Sequence, residues 1–346
     1  MHKTAFAELV SSLRALTPQQ LAQLGTAVTD SQRRVEAVLA LDARCGEEAD
    51  QGCPRCASSK RCRWGHTRTG AQRWRCDDCG ATWSGLTGTP IAGIRRPDLF
   101  IDLVRNMMEA EKPWSCRKAA EKLGISRHTA WRWRMAIIRL LPAERTGVMS
   151  GIVEADEARQ RESRKASREW VRYQADPLNV PRPPREPWRY YKSRNATVKA
   201  PPGGWLAWNK NLVAVTDRGG HRAMEAVNKV TEQEVSGALL PTMAPDAVLC
   251  TDGHVTYEAI AKTTRITHFA LNGGKRSRRT PKTHHINTVN ALISRYRDFI
   301  RPFCGPASQN LKAYGRWHAA RENGDRDYLA IFKTFLDTPR PTNTLC

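Results

Sequence analysis

Apolar positions along this chain follow two periods. From Phe6 through Leu9, Val10 and Leu13 to Leu16 they recur at helical spacing. Thr17-Pro18 reads as an N-cap and first helical position, opening a second helix with Leu21 and Leu24. Val35, Val38 and Leu39 mark a third. Residues 1–45 are therefore expected as N-terminal helices, a small bundle or a dimerisation arm. Helical spacing returns over Pro97–Glu109 and again over Ser115–Arg134. In the latter stretch Ala119, Ala120 and Leu123 line one helix, Gly124 turns the chain, and Ser126 caps a second with Ala130, Trp133 and Ile137 inward. That is a helix-turn-helix pattern. Beyond Pro142 short β-prone runs take over: Ile152–Asp156, Leu212–Thr216, His221–Val227, Ala247–Thr251 and Ile266–Leu271. Asp217 to Gly220 is a hairpin turn. Thr231 with Glu234 resembles a capping box that starts a helix to Leu240, Tyr257–Lys262 is helical, and a helix from Asn287 carries Val289, Leu292, Ile293 and Tyr296 on one side. This order predicts an α/β domain of the RNase H-like kind, a mixed sheet flanked by helices.

Charge changes the picture. The chain has 346 residues and a net charge of +22, an excess that folding does not require and that predicts a polyanionic partner, nucleic acid first. A basic membrane-surface protein competes, but no amphipathic anchor is visible; a ribosomal-type protein of this length is unusual. No apolar run of about 18 residues predicts a membrane span, and the N-terminus lacks the features of a signal peptide. A cytoplasmic, nucleoid-associated protein is expected, with no membrane partner and with its ten cysteines reduced or metal-bound. The charge is uneven. The first fifty residues carry more acids than bases and are a poor DNA contact. Residues 159–202 form a basic insertion broken by Pro181, Pro183, Pro184 and Pro187 and interleaved with Trp188, Tyr190 and Tyr191. It is either ordered on nucleic acid or a solvated loop. Gly273–Arg279 is a second basic loop.

Three constellations carry chemistry. Cys53-Pro-Arg-Cys56 and Cys76-Asp-Asp-Cys79 are matched knuckles nineteen residues apart, the pattern of a closed, structural Cys₄ zinc site with a β-hairpin between them, a zinc ribbon over residues 50–85. Cys62 and His66 lie in the loop and fit less well as ligands. Its arginines (Arg61, Arg63, Arg68, Arg73, Arg75) either touch phosphates or form a solvated face. The helix-turn-helix, within 95–142, offers Arg127, His128, Thr129, Arg132 and Arg134 to double-stranded DNA. Lastly, the runs ending at Asp156 and Asp252 place two carboxylates at strand ends. Metal-assisted phosphodiester chemistry needs such oxygen ligands around Mg²⁺ or Mn²⁺, with a third ligand from a helix packed across the strand ends.

The whole chain from Leu9 to Leu336 resembles bacterial insertion-sequence transposases of the ISXO-two-like group, members of the DDE class. The marks are the two cysteine knuckles, Thr87-Gly-Thr-Pro90, Ala119-Ala to Ser126 with Thr129-Ala-Trp-Arg-Trp133, Val153-Glu-Ala-Asp-Glu157, Thr251-Asp-Gly253 with Tyr257, and His285-Ile-Asn-Thr-Val-Asn290. The resemblance implies a catalytic domain over 150–336, with its first two acids at Asp156 and Asp252. The third, usually Glu, falls on Asn290, and the family's basic residue one or two turns later on Arg297, a DNA contact. An amide ligates a hard cation without adding charge, so the implied site is Asp-Asp-Asn. Glu154 or Glu157 is a candidate to compensate, Glu154 better because it shares a strand face with Asp156. His285 either orients a ligand or is structural. The expected activity is cleavage of element ends bound at terminal inverted repeats and their transfer to target DNA, by a homo-oligomer in the synaptic complex. The rivals are a catalytically inactive, transposase-derived repressor or scaffold, and a nuclease on the same fold.

Overall fold

The structure, a computed structural model, describes residues 8, 10–46, 52–68, 70–141, 148–165, 167–183, 209–271 and 283–337. Phe6, Leu9, Trp188, Tyr190 and Tyr191 of the basic insertion and the loop 273–279 lie outside them. In chain order the elements are α1 (Pro18–Gly46), β1 (Arg61–His66), β2 (Gln72–Cys76), β3 (Thr82–Ser84), α2 (Pro97–Glu109), α3 (Cys116–Leu123), α4 (Arg127–Leu140), β4 (Ile152–Arg161) and α5 (Glu169–Ala175). They continue with β5 (Asn209–Asp217), β6 (Arg222–Val227), α6 (Glu232–Leu239), β7 (Val248–Thr251), α7 (Val255–Thr264), β8 (His268–Ala270), α8 (Asn287–Ile300), α9 (Leu311–Glu322) and α10 (Tyr328–Asp337). This is a mixed α/β protein. No described helix is long and apolar enough to cross a membrane.

The chain divides into two compact units, one of residues 1–109 with 327–346, the other of residues 110–326. The boundary cuts the expected 95–142 segment, because α2 packs with α1 and α10 while α3 and α4 pack within the second unit. For the same reason α10 leaves the expected 150–336 domain.

In the first unit, the second and third helices expected near the N-terminus are one helix, α1, of 29 residues. It opens as the sequence suggests: Thr17 N donates to Gln20 Oε1 (2.9 Å) and Gln20 N to Thr17 Oγ1 (3.3 Å), a capping box with Pro18 at the first helical position. It does not stop near Thr29-Asp30-Ser31 because these polar groups are used elsewhere. Ser31 Oγ donates back to Ala27 O (2.9 Å), and Asp30 pairs with Arg105 of α2. Arg34 binds Asp102 (2.9 Å) and Arg33 binds Glu109 (2.7 Å) on the same partner helix. Helix α10 adds Tyr328, Phe332 and Phe335, all buried, with the Arg33 guanidinium 4.6 Å over the Tyr328 ring. Strands β1, β2 and β3 form a separate antiparallel sheet in that order, with a bulge between Arg63 and His66.

In the second unit, α3 and α4 are joined by a three-residue turn. Ser115 Oγ accepts from Lys118 N, Gly124 takes φ 62°, and Ser126 Oγ accepts from Thr129 N; the turn at Gly124 and the cap at Ser126 are as the sequence suggests. The sheet has the order β6-β5-β4-β7-β8. Strands β6, β5 and β4 are antiparallel; β7 and β8 run parallel to β4. Helices cover both faces. Val153, Ala155, Val213 and Val215 pack with Val235, Leu239, Tyr257 and Ile260 of α6 and α7. Ala158, Leu212, Ala214 and Met224 pack with Val289, Leu292, Ile293 and Tyr296 of α8. Strand β5 is therefore buried on both sides, which its continuous apolar run required. Strand β4 does not end at Asp156: it runs on to Arg161, because every residue from Val153 to Arg161 pairs with β5.

Candidate functional site

Asp156 and Asp252 meet at the point where the central strands part. The parallel pairing of β4 with β7 runs Ile152 with Val248, Val153 with Leu249 and Glu154 with Cys250. Two places further, the same register sets Asp156 beside Asp252, on strands spaced about 4.8 Å apart. Strand β7 ends there, so β4 alone continues beneath the opening. Gly253, at φ 82°, turns the chain away, and Asp252 Oδ1 accepts from His254 N (3.0 Å). Asp156 Oδ1 accepts from Glu157 N (2.7 Å). Burial raises the Asp156 carboxyl above its ordinary pKa and the Asp252 charge adds to this, while Arg159 and Arg297 oppose it. Two carboxylates that repel each other at a half-open position form a site that a divalent cation would relieve.

Alternation along β4 sends neighbouring acids to opposite faces. Glu154 shares the α8 face with Asp156, as expected, but it is fully buried and committed. Its Oε2 accepts from the amides of Thr288 (2.8 Å) and Val289 (3.0 Å), at the start of α8. Its Oε1 faces Arg218 Nη2 at 2.9 Å. Oε1 is held by charge alone, with no hydrogen bond, while Oε2 is fixed to the start of α8. Glu157 lies on the other face, buried against the Tyr257 hydroxyl. Burial raises its pKa, Tyr257 opposes this, and Asp156 and Asp252 raise it further. Burial likewise drives the Tyr257 hydroxyl well above its usual range, with Glu157 adding to it.

Asn290 is exposed on the first turn of α8, one residue past the amide held by Glu154. Arg297, also exposed, stands seven residues later, two turns along the same face, and its charge acts on Asp156. Among the described residues, the cysteine cluster is the one group of three or more His, Cys, Asp or Glu side chains gathered closely enough for a metal. Asp156 and Asp252 are not part of any such group.

The four cysteines come together. The β1–β2 pairing, which sets Arg61 opposite Cys76, and the turns at Cys53–Cys56 and Cys76–Cys79 bring all four sulfurs within 4.8 Å of one another. Cys53 and Cys79 are 3.5 Å apart, Cys56 and Cys76 3.6 Å. A tetrahedral site with metal–sulfur bonds near 2.3 Å needs sulfurs about 3.8 Å apart, so the set fits a metal such as zinc. Burial opposes ionisation of Cys53, yet amide hydrogen bonds from Arg55 and Cys56 bring its pKa down to about 7. Cys62 points elsewhere, toward Arg75 O (3.8 Å).

On α4, Arg127, His128 and Arg132 are exposed and Thr129 half-buried, its hydroxyl 2.9 Å from Ser126 Oγ. Arg134 departs from the expected DNA-facing set. It is 1% exposed, hydrogen-bonds to Trp114 O, and lies over the rings of Phe303 (4.8 Å) and Trp317 (5.8 Å). It joins α4 to α9 and is not available to DNA. Trp131, 38% exposed beside His128, completes the outward face; its spacing of four from Arg127 was the available signal. Arg218 is the other residue sequence reasoning missed. As the second residue of a glycine hairpin turn it carried no signal, since its partners lie more than sixty residues away.

No protein-family model matches the sequence, and no curated protein matches it.

Proposed function

We propose that this chain is a DDE-class transposase with an Asp-Asp-Asn site, which cuts the ends of its element and joins them to target DNA. The observation that carries the reading is the register that sets Asp156 beside Asp252, with Arg297 across the opening from α8. Three antiparallel strands followed by two parallel to the first support reading the sheet as RNase H-like. The β1–β3 sheet with its cysteines supports a zinc ribbon, and α3–α4 a helix-turn-helix.

Asp156 and Asp252 would hold Mg²⁺ or Mn²⁺, with Asn290 as a neutral third ligand. The ions supply Lewis acidity toward a phosphodiester and its attacking oxygen. Arg297, whose charge acts on Asp156, would hold a phosphate of the strand there. Arg127, His128, Arg132 and Trp131 present a cationic and stacking surface to double-stranded DNA, element ends or target. Zinc in the ribbon is structural. Two ends must be held at once, which favours a homo-oligomer in the synaptic complex.

The test is strand joining from pre-cut element ends to a target plasmid with Mg²⁺ or Mn²⁺. Joined product from wild type and none from Asp156→Ala or Asp252→Ala is expected. Specific end binding without any product would leave the second reading, a DNA-binding protein derived from a transposase, which the missing third acid at Asn290 favours. Equal joining by wild type and Asp252→Ala would reject the site.

A further inference from the structure

The start of α8 is fixed by a cluster that the carboxylate site itself does not use. Glu154, on β4 two residues before Asp156, gives one buried oxygen to two amides in the first turn of α8, Thr288 N at 2.8 Å and Val289 N at 3.0 Å. Those amides have no partner inside a helix, and the positive end of the helix favours an anion there. The other oxygen faces Arg218 at 2.9 Å and His285 Nδ1 at 3.4 Å. Arg218, on the β5–β6 turn, also reaches three residues in and just before the first turn of α8. Its Nη1 donates to His285 Nε2 (3.0 Å) and Thr288 Oγ1 (3.2 Å), its Nη2 to Thr283 O (3.1 Å). Three stretches far apart in sequence, at residues 154, 218 and 283–289, are tied together at one carboxylate.

We propose that Glu154, braced by Arg218 and His285, is a positioning residue that sets the first turn of α8, and with it Asn290, relative to Asp156. The inference rests on the reading of Asp156 and Asp252 as a metal site and deepens it. A neutral amide contributes less attraction to a cation than a carboxylate would. It is an effective ligand only if its oxygen is already in place, so the ordering of its helix turn carries more of the affinity. Glu154 provides that order from the strand that also carries Asp156, which fixes ligand to ligand through one rigid element. Asn290 follows Val289 directly, so any slackening of the Val289 amide moves it.

Charge alone and positioning predict opposite results at Arg218. Removing a cation near a metal site tightens cation binding if only the field matters; removing a brace weakens it if position matters. The experiment is titration of the full-length, zinc-loaded chain with Mn²⁺, read by calorimetry, alongside amide exchange over Thr288–Ala291 and thermal melting. Glu154→Gln and Arg218→Met are each expected to weaken Mn²⁺ binding about tenfold, as loss of an outer partner of a metal ligand does, and to speed exchange in the first turn of α8. Arg218, about one third exposed on a turn, is the variant to rely on if Glu154→Gln fails to fold. A folded Arg218→Met protein that binds Mn²⁺ as tightly as wild type, or more tightly, overturns the proposal. Wild type that binds no Mn²⁺, or binds it equally after Asp156→Ala, overturns the metal site itself and the positioning role with it.

Discussion

Glu157 carries its carboxyl into the interior behind the candidate site, where burial raises its pKa. A carboxyl with a raised folded-state pKa stabilises the fold when protonated. That contribution is complete below the unfolded pKa and is lost as pH rises through the folded value. At neutral pH the ionised group therefore opposes folding. Glu157→Gln should melt a few degrees higher than wild type at pH 7 without added divalent ions. The difference should close as pH falls into the ordinary carboxylate range, which parallel melts in acetate and phosphate would show. The two arginines on α4 make the complementary case. Arg132→Ala should leave the free energy of unfolding within about 0.5 kcal/mol of wild type and, on the proposed function, lower the salt dependence of DNA binding by about one counterion. Arg134→Ala, which empties a buried place between Trp317 and Phe303, should cost about 2–4 kcal/mol by denaturant titration. Sequence spacing separates these two arginines poorly. Both stand in a run where Trp131 and Trp133 alternate with them, and an arginine's long apolar stem suits either side. The inward choice is made by rings more than 160 residues later, at Phe303 and Trp317.

At the scale of elements, what could be read in the sequence was what local chemistry decides. Ser126 and Thr231 each cap the helix they precede, and each accepts the expected amide three residues on. Glu234 shows the limit. Its carboxylate does not close the box on Thr231 but accepts from Asn228 N (2.6 Å), at the end of β6. The length of β4 was hidden for the same kind of reason. Asp156, Arg159 and Arg161 look like the close of a strand, yet the partner β5 pairs with all of them. Asp156 and Asp252 were each legible as acids after apolar runs, but their adjacency is a property of register. So is the occupation of Glu154, fixed by amides 134 and 135 residues away. Helix α9 lies on the sheet at Gly315 for a further reason the sequence did not declare. A Cβ there would stand 2.5 Å from Leu212 Cδ2 and 3.1 Å from Met224 O. Gly315→Ala gains about 1 kcal/mol of helix propensity, but the overpacking costs about 1–3 kcal/mol. Net destabilisation, read by denaturant titration, is the expected outcome.

At the scale of the whole molecule, two units with different supports should respond to different insults. Cys76→Ser should lose about one zinc per chain by metal analysis and lower the stability of the unit built on residues 1–109 and 327–346. Residues 110–326 have their own sheet and core, so a fragment of that span should melt cooperatively without zinc. Ending the chain after Arg326 removes Tyr328, Phe332 and Phe335 from the first unit and should loosen α1 in amide exchange while leaving the β4–β8 sheet protected. The pairing of α10 with α1 has a consequence for the making of the protein. Helix α1 is finished at residue 46, but the helix that packs against it begins at residue 328, about 280 residues later (328 − 46). At 5–20 residues per second, a ribosome takes roughly 14–56 seconds to cover that distance. For all of that time the first unit lacks its last helix, and by residue 326 everything the second unit needs has been made. The order of synthesis thus favours completion of the carboxylate-bearing unit first. It leaves the nascent N-terminal helix as the element that waits longest for its last packing partner.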